Sequence, residues 1–123
     1  MKPLSVVVAL GNGKTAESLA KSLYTHFRVV NVVRNVPELH SSIPQHRADV
    51  AVVDLELAGI SEVRKLMQKF PGITVVCTHR VADESMWADA LAAGAVDCCS
   101  NSDVRAIVLA ASHTRPISHY HAA

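Results

Sequence analysis

The sequence predicts an α/β protein, built as a doubly wound, five-stranded parallel sheet with helices on both faces. Five short runs rich in valine and isoleucine recur about 20–25 residues apart, which is the spacing of alternating strands and helices. Three of these runs are continuously apolar, as is typical of parallel strands buried on both faces. With right-handed crossovers, the commonest strand order for such a chain is 2-1-3-4-5.

The first half of the chain predicts three strands and two helices. The strands are predicted from valine-rich runs at Ser5–Leu10, Arg28–Val33 and Val50–Leu55. A helix is predicted over Thr15–His26, because its apolar residues recur at spacings of three and four. Only a short helix is predicted over Pro37–Ser42, because Pro44 interrupts helical hydrogen bonding.

The second half predicts three helices that alternate with two strands. A helix over Ser61–Phe70 ends at a Pro-Gly pair, and a strand over Ile73–Thr78 follows it. The next helix, Asp83–Ala93, has Asp83 as its N-cap and a glycine after its last turn. The last strand and helix are predicted over Ala95–Cys99 and Ser102–Ser112.

Composition limits the classes of protein that this chain can belong to. Its 123 residues fit one domain, which we place at residues 1–112, followed by a polar tail at 113–123 that carries three histidines. A net charge of +1 disfavours both nucleic-acid binding and an acidic interaction tail. No apolar run is long enough for a membrane span or a secretory signal peptide. We expect a cytoplasmic protein whose three cysteines are reduced and buried.

Several polar residues follow the predicted strands at the edge where parallel sheets place their functional crevice. Asp54 lies at the end of an otherwise apolar strand, so its carboxylate is placed to accept a phosphoryl group or to bind a metal ion. Thr78 provides a hydroxyl at the end of the neighbouring strand. The other residues predicted around this crevice are Gly11, Asn12, Lys14, Glu56 and Asn101.

Structural roles compete with these functional ones. Asp54 is equally suited to accept hydrogen bonds from loop amides or to pair with Lys14. Thr78 suits an ordinary strand end or a helix cap, and Glu56 suits a solvent-exposed position. Trp87 is expected either partly buried against the last strand or exposed as an interface anchor.

Two motifs resemble the receiver domain of bacterial response regulators. They are V-V-D-L-E-L-A-G at 52–59 and A-L-A-A-G-A-V-D at 90–97, and the resemblance spans nearly the whole chain. It implies a flavodoxin-like fold, with Asp54 at the phospho-acceptor position and Thr78 at the switch position. It also implies that helix 4, strand 5 and helix 5 form a signalling face.

The sequence departs from the receiver pattern at the residues that would stabilise phosphoryl transfer. Receivers carry two acidic residues after strand 1 and a lysine at the end of strand 5. Here residues 9–12 include no acid, and Asn101 occupies the lysine position. Mg²⁺ binding usually requires carboxylate ligands, and the transferred phosphoryl group requires nearby positive charge. Mg²⁺ binding by Asp54 alone is therefore doubtful. We expect no cofactor and no catalytic residues.

These observations favour an atypical receiver, or pseudo-receiver, that is not an enzyme and acts mainly through protein–protein contacts. The expected partners are a histidine kinase or another signalling protein, together with a homodimer through helix 4, strand 5 and helix 5. The alternative is a module that binds phosphate, a nucleotide or a flavin at Gly11–Thr15. A complete P-loop is excluded because Val8 occupies the position of its first glycine.

Overall fold

The computed structural model describes residues 4–81 and 83–112, over which five strands alternate with five helices. In chain order these are β1 (Ser5–Ala9), α1 (Gly13–Leu23), β2 (Val29–Val33), α2 (Val36–His46), β3 (Val50–Asp54), α3 (Ile60–Lys69), β4 (Thr74–His79), α4 (Glu84–Ala93), β5 (Asp97–Ser100) and α5 (Val104–Ser112). All strand pairings are parallel, and the order is β2-β1-β3-β4-β5. The predicted fold class and strand order are confirmed.

Helix α2 is longer than predicted, because it continues through Pro44 to His46. Proline removes one backbone donor, but the helix is retained here since Leu39 and Ile43 bury a continuous apolar face. The helix ends at Arg47, which adopts a left-handed conformation and donates its N–H to the carbonyls of Ile43 and Pro44. The prediction that Pro44 would end this helix is therefore wrong.

Two apolar layers cover the sheet, one on each face. The layer under α2, α3 and α4 contains the buried side chains of Leu39, Val63 and Leu66. The opposite layer, under α1 and α5, contains Leu23 and Ile107, both of which are fully buried. Alternate residues of the central strands contribute to opposite layers, which explains why the sequence of these strands is continuously apolar.

All three cysteines are free and buried, as predicted, and they lie on the two strands at one end of the sheet. Cys77 of β4 is the register partner of Cys98 of β5, while Cys99 faces the opposite layer. Desolvation by burial raises the pKa values of the Cys77 and Cys99 thiols to about 12. These thiols are therefore protonated and part of the core at neutral pH.

None of the helices in the described residues combines the length and the apolar character needed to cross a membrane. The predicted polar tail at 113–123 lies outside the described residues.

Candidate functional site

A cleft of about 290 Å³ opens at the carboxyl edge of the sheet, beyond the ends of β1, β3, β4 and β5. It brings together Asp54 and four other residues that the sequence placed around the crevice, which are Gly11, Asn12, Glu56 and Asn101. Thr15, Leu57 and Arg80 complete its lining. Residues from four separate segments of the chain therefore meet at this cleft.

Asp54 lies at the base of the cleft as the last residue of β3. Only 3% of its surface is exposed, and its Oδ1 accepts a hydrogen bond of 3.2 Å from the backbone N–H of Glu56. Burial raises the pKa of this carboxyl above its ordinary value, and the nearby Glu56 carboxylate acts in the same direction. The Glu56 amide, His79 and Arg80 oppose that rise in pKa. The carboxyl is thus held by its own loop, as one of the structural alternatives predicted.

Glu56 and Arg80 form an ion pair at the rim of the cleft. Arg80 Nη2 lies 2.9 Å from Glu56 Oε2, and Arg80 Nε donates to both carboxylate oxygens, at 3.0 and 3.3 Å. His79 Nε2 lies 3.7 Å from Glu56 Oε2. The Glu56 carboxylate is therefore engaged by side chains of β4 and the loop that follows it, although it remains partly exposed.

Thr78 is the register partner of Asp54 on β4 and is fully buried. Its Oγ1 has no hydrogen-bond partner among the described residues. A buried hydroxyl without a partner loses its hydration without compensation, so this position is energetically unfavourable in the present conformation. Thr78 does not line the cleft itself, although it lies one strand away from Asp54.

Lys14, which the sequence placed around the same crevice, lies outside the cleft lining and is exposed. It is the second residue of α1 and lies along two neighbouring grooves. Each helical residue is rotated by about 100° from the one before, so Lys14 and Thr15 project in different directions. No ion pair joins Lys14 to Asp54 in the part of the chain that the structure describes.

The residues around Asp54 do not fit a magnesium site of the receiver type. Leu10, in the segment after β1, is fully buried, and Gly11 and Asn12 follow it without contributing a carboxylate. Across residues 4–81 and 83–112, no three side chains of His, Cys, Asp or Glu converge as metal ligands. Of the two carboxylates that line the cleft, Glu56 is bonded to Arg80, while Asp54 is bonded to no cationic side chain. Mg²⁺ prefers several oxygen ligands in octahedral geometry, and Asp54 alone is a poor site for it.

Helix α4 and strand β5 are linked by a hydrogen bond between side chains. Trp87 Nε1 donates to Asp97 Oδ1 at 3.0 Å, and the same oxygen accepts the Cys98 backbone N–H at 2.8 Å. Trp87 is nevertheless 41% exposed, so it contacts β5 while a large part of it stays accessible. Leu109 on α5 and Val81 before α4 are also exposed, at 58% and 70%.

The sequence analysis assigned neither Leu57 nor Arg80 to the site, and of these two Arg80 carries the charge. Its position was visible in principle, because a charged residue two positions after Thr78 follows the end of β4. What the sequence does not reveal is the direction of the chain beyond β4, which brings Arg80 against Glu56. His79 stabilises the start of this loop, because its Nδ1 accepts the backbone N–H of Val81 at 3.1 Å.

No protein-family model matches this sequence. Solved structures with the same fold include a two-component response regulator of the LuxR family from Aurantimonas sp. SI85-9A1. It matches with a TM-score of 0.80 at 18% identity, over 98% of this chain and 94% of that chain. The receiver domain of the Francisella response regulator 1452 matches with a TM-score of 0.76 at 19% identity, over 91% of this chain and 99% of that chain.

A response regulator protein from Burkholderia pseudomallei, solved with a phosphorylated aspartic acid, a calcium ion and citrate, also has this fold. It matches with a TM-score of 0.78 at 21% identity, over 89% of this chain and 67% of that chain. Because the identities are low, the similarity is one of fold. The chain has the flavodoxin-like fold that these receiver domains share.

Proposed function

We propose that this chain is an atypical receiver domain of bacterial two-component signalling, which acts in the cytoplasm mainly as a protein–protein interaction module. The receiver fold and the position of Asp54 at the carboxyl end of β3 support the assignment to this class. The observation that carries the atypical part is the composition of the cleft. Asp54 lies there without a neighbouring acid from the β1 loop, and Asn101 lines the cleft where a lysine is expected.

This composition disfavours Mg²⁺-dependent phosphorylation of Asp54. A phosphoryl group on Asp54 would need nearby cations to offset the charge on its oxygens. Arg80 is the one lysine or arginine of the cleft lining, and its guanidinium is already bonded to Glu56. Asp54 is therefore proposed to contribute to the structure of the cleft rather than to a phosphorylation cycle.

Incubation with acetyl phosphate and Mg²⁺, followed by intact-mass spectrometry, tests the proposal. We expect no stoichiometric phosphoryl addition to the wild-type chain. A large addition that Asp54→Asn abolishes would overturn the proposal and indicate ordinary receiver chemistry.

A gain-of-function variant makes the same test sharper. Asn12→Asp is nearly isosteric and can retain the cap that Asn12 Oδ1 provides to the Thr15 N–H. Combined with Asn101→Lys, it adds one carboxylate and one cation to the cleft. We expect this double variant to be phosphorylated more than the wild type, because the added groups supply what the cleft lacks.

The proposed interaction face consists of α4, β5 and α5, where Trp87 and Leu109 are exposed. A histidine kinase, another signalling protein or a second copy of the chain is proposed to bind there. Sedimentation equilibrium tests the homodimer, which Leu109→Glu should dissociate because it places a charge in an apolar interface. A wild-type chain that stays monomeric at high concentration would exclude the homodimer.

A further inference from the structure

A second and larger groove lies on the other side of α1, between this helix and strand β2. We call it the α1–β2 groove. Its volume is about 730 Å³, and its lining consists of Gly13, Lys14, Ala16, Glu17, Ser18, Ala20, Lys21, Tyr24, Val32 and Arg34. Asp54 does not contribute to it, so the groove is separate from the cleft described above.

The α1–β2 groove is positively charged. Lys14, Lys21 and Arg34 line it together with one acid, Glu17. None of these three cations forms an ion pair within the described part of the chain. The Arg34 guanidinium packs closely against Gly13, since a Cβ at that glycine would lie only 3.3 Å from it. The groove thus presents unpaired cations, one of which packs against the first turn of α1.

The groove also has an apolar part. Tyr24 is 59% exposed and is fixed over β2 by a 3.2 Å hydrogen bond from its Oη to the Val30 carbonyl. Val32 is 38% exposed, although it belongs to a strand whose neighbours Val30 and Val33 are buried. Within residues 4–81 and 83–112, β2 is an edge of the sheet and pairs only with β1. Apart from the Val30 carbonyl, which accepts the Tyr24 hydroxyl, its backbone groups can pair with an added strand.

We propose that the α1–β2 groove binds an acidic, extended segment of a partner protein that carries an apolar side chain. Lys14 and Lys21 are two helical turns apart, or about 10 Å along α1, which is farther than one phosphate group spans. The side chains of an extended chain paired with β2 would point alternately to the two faces of the sheet, so every second residue would face the groove. Acidic residues at some of these positions would contact the cations, and an apolar residue at another would contact Val32 and Tyr24. Backbone pairing with β2 favours a polypeptide over other anions.

The test is a titration of the isotope-labelled full chain with a synthetic peptide Glu-Thr-Val-Thr-Glu-Thr, whose glutamates and valine all lie on one side when it is extended, followed by amide NMR. We expect chemical-shift changes in α1 and β2, with the amides near Asp54 unaffected. The same peptide with lysine in place of both glutamates should not bind. Lys21→Glu should weaken binding of the acidic peptide about fivefold, as expected for loss of one exposed ion pair.

Arg64→Glu is the matched control, because Arg64 is an exposed cation on α3 and its reversal changes the net charge equally. It should leave the affinity nearly unchanged. Val32→Thr keeps the β-branched shape of the edge-strand residue and should weaken binding about twofold through lost apolar contact.

Four outcomes would overturn the proposal. They are absence of binding by the acidic peptide, shift changes that map to the Asp54 cleft instead, and equal weakening by Arg64→Glu and Lys21→Glu. The fourth is a stronger response of the same amides to ATP or to phosphatidylserine vesicles, which would assign the groove to a nucleotide or to a lipid surface.

Discussion

At Asp54, burial and the surrounding charges act in opposite directions on one carboxyl group. Burial disfavours the ionised form, while Arg80 and His79 favour it, and burial dominates because the pKa is raised. A raised pKa in the folded state means that the folded chain binds more protons than the unfolded chain at intermediate pH. The free energy of unfolding therefore falls as pH rises from the ordinary Asp value of 3.8 through the raised pKa.

Asp54→Asn should consequently stabilise the protein at neutral pH. The amide is neutral, and its oxygen can still accept the hydrogen bond from the Glu56 N–H. The stabilisation should shrink as pH is lowered, because the wild-type carboxyl then becomes protonated and neutral too. Urea unfolding at several pH values measures this difference, and a variant less stable than wild type at pH 7 would contradict the prediction.

The Glu56–Arg80 pair is predicted to adjust the pKa of Asp54. Arg80→Ala should raise this pKa further, because it removes a cation that favours the ionised form. Glu56→Gln should lower it, because it removes a like charge and releases Arg80 from its partner. Carboxyl-carbon NMR titration of Asp54 measures both changes, with Arg64→Ala as a control that should leave the pKa unchanged. Shifts in the same direction for the two cleft variants would exclude this account.

Among the secondary-structure elements, the end of α4 depends on one glycine. Gly94 has φ +112°, a left-handed conformation that terminates the helix and turns the chain toward β5. A Cβ at this position would lie 2.7 Å from Cγ of Met67 on α3, so it would also disturb the packing of the two helices.

Gly94→Ala should therefore destabilise the protein by about 1–3 kcal/mol, through backbone strain and displacement of Met67. Gly72→Ala is the matched control, because no heavy atom lies within 4 Å of the Cβ position and its φ is not positive. Thermal unfolding of both variants tests this prediction. Equal stabilities of the two variants would mean that neither strain nor Met67 matters.

The secondary structure was largely predictable because its causes are local. Valine-rich runs located all five strands to within two residues at either end. The exception, α2, shows the limit of local rules, since the cost of Pro44 is outweighed by the burial of Leu39 and Ile43 against the sheet. That burial depends on tertiary packing, which the proline rule does not include.

The candidate site was predictable only in part, because clefts are formed by residues distant in sequence. Gly11 and Asn12 were found because they follow one predicted strand, and Asp54 because it lies at the end of another. Arg80 was missed because its contact with Glu56 depends on the path of the loop after β4. Lys14 lies outside the cleft lining, but it lines a neighbouring groove together with Thr15 and Asn101, which both also line the cleft.

On the scale of the whole molecule, one sheet is shared by two apolar layers. Leu66 on α3 and Ile107 on α5 are fully buried in opposite layers. Because the central strands contribute side chains to both layers, loss of either layer would expose the apolar sheet face that it covers and weaken the strands that support the other layer. The described domain should therefore unfold in a single cooperative transition.

Leu66→Ala and Ile107→Ala should each lower the free energy of unfolding by about 2–5 kcal/mol, because each leaves a cavity in a closely packed layer. Both variants should retain one transition when circular dichroism and Trp87 fluorescence are compared. Leu109→Ala, at an exposed position of α5, should have a much smaller effect. Separate midpoints for the two probes would show that the layers unfold independently.

The three buried thiols allow the transient opening of β4 and β5 to be measured as a reaction rate. A thiol reacts with an alkylating reagent as the thiolate, and burial both blocks access to Cys77 and Cys99 and suppresses their ionisation. Modification of the native protein must therefore wait for transient opening of β4 and β5. The rate of alkylation reports how often these strands separate, so the chain contains its own probe of local fluctuations.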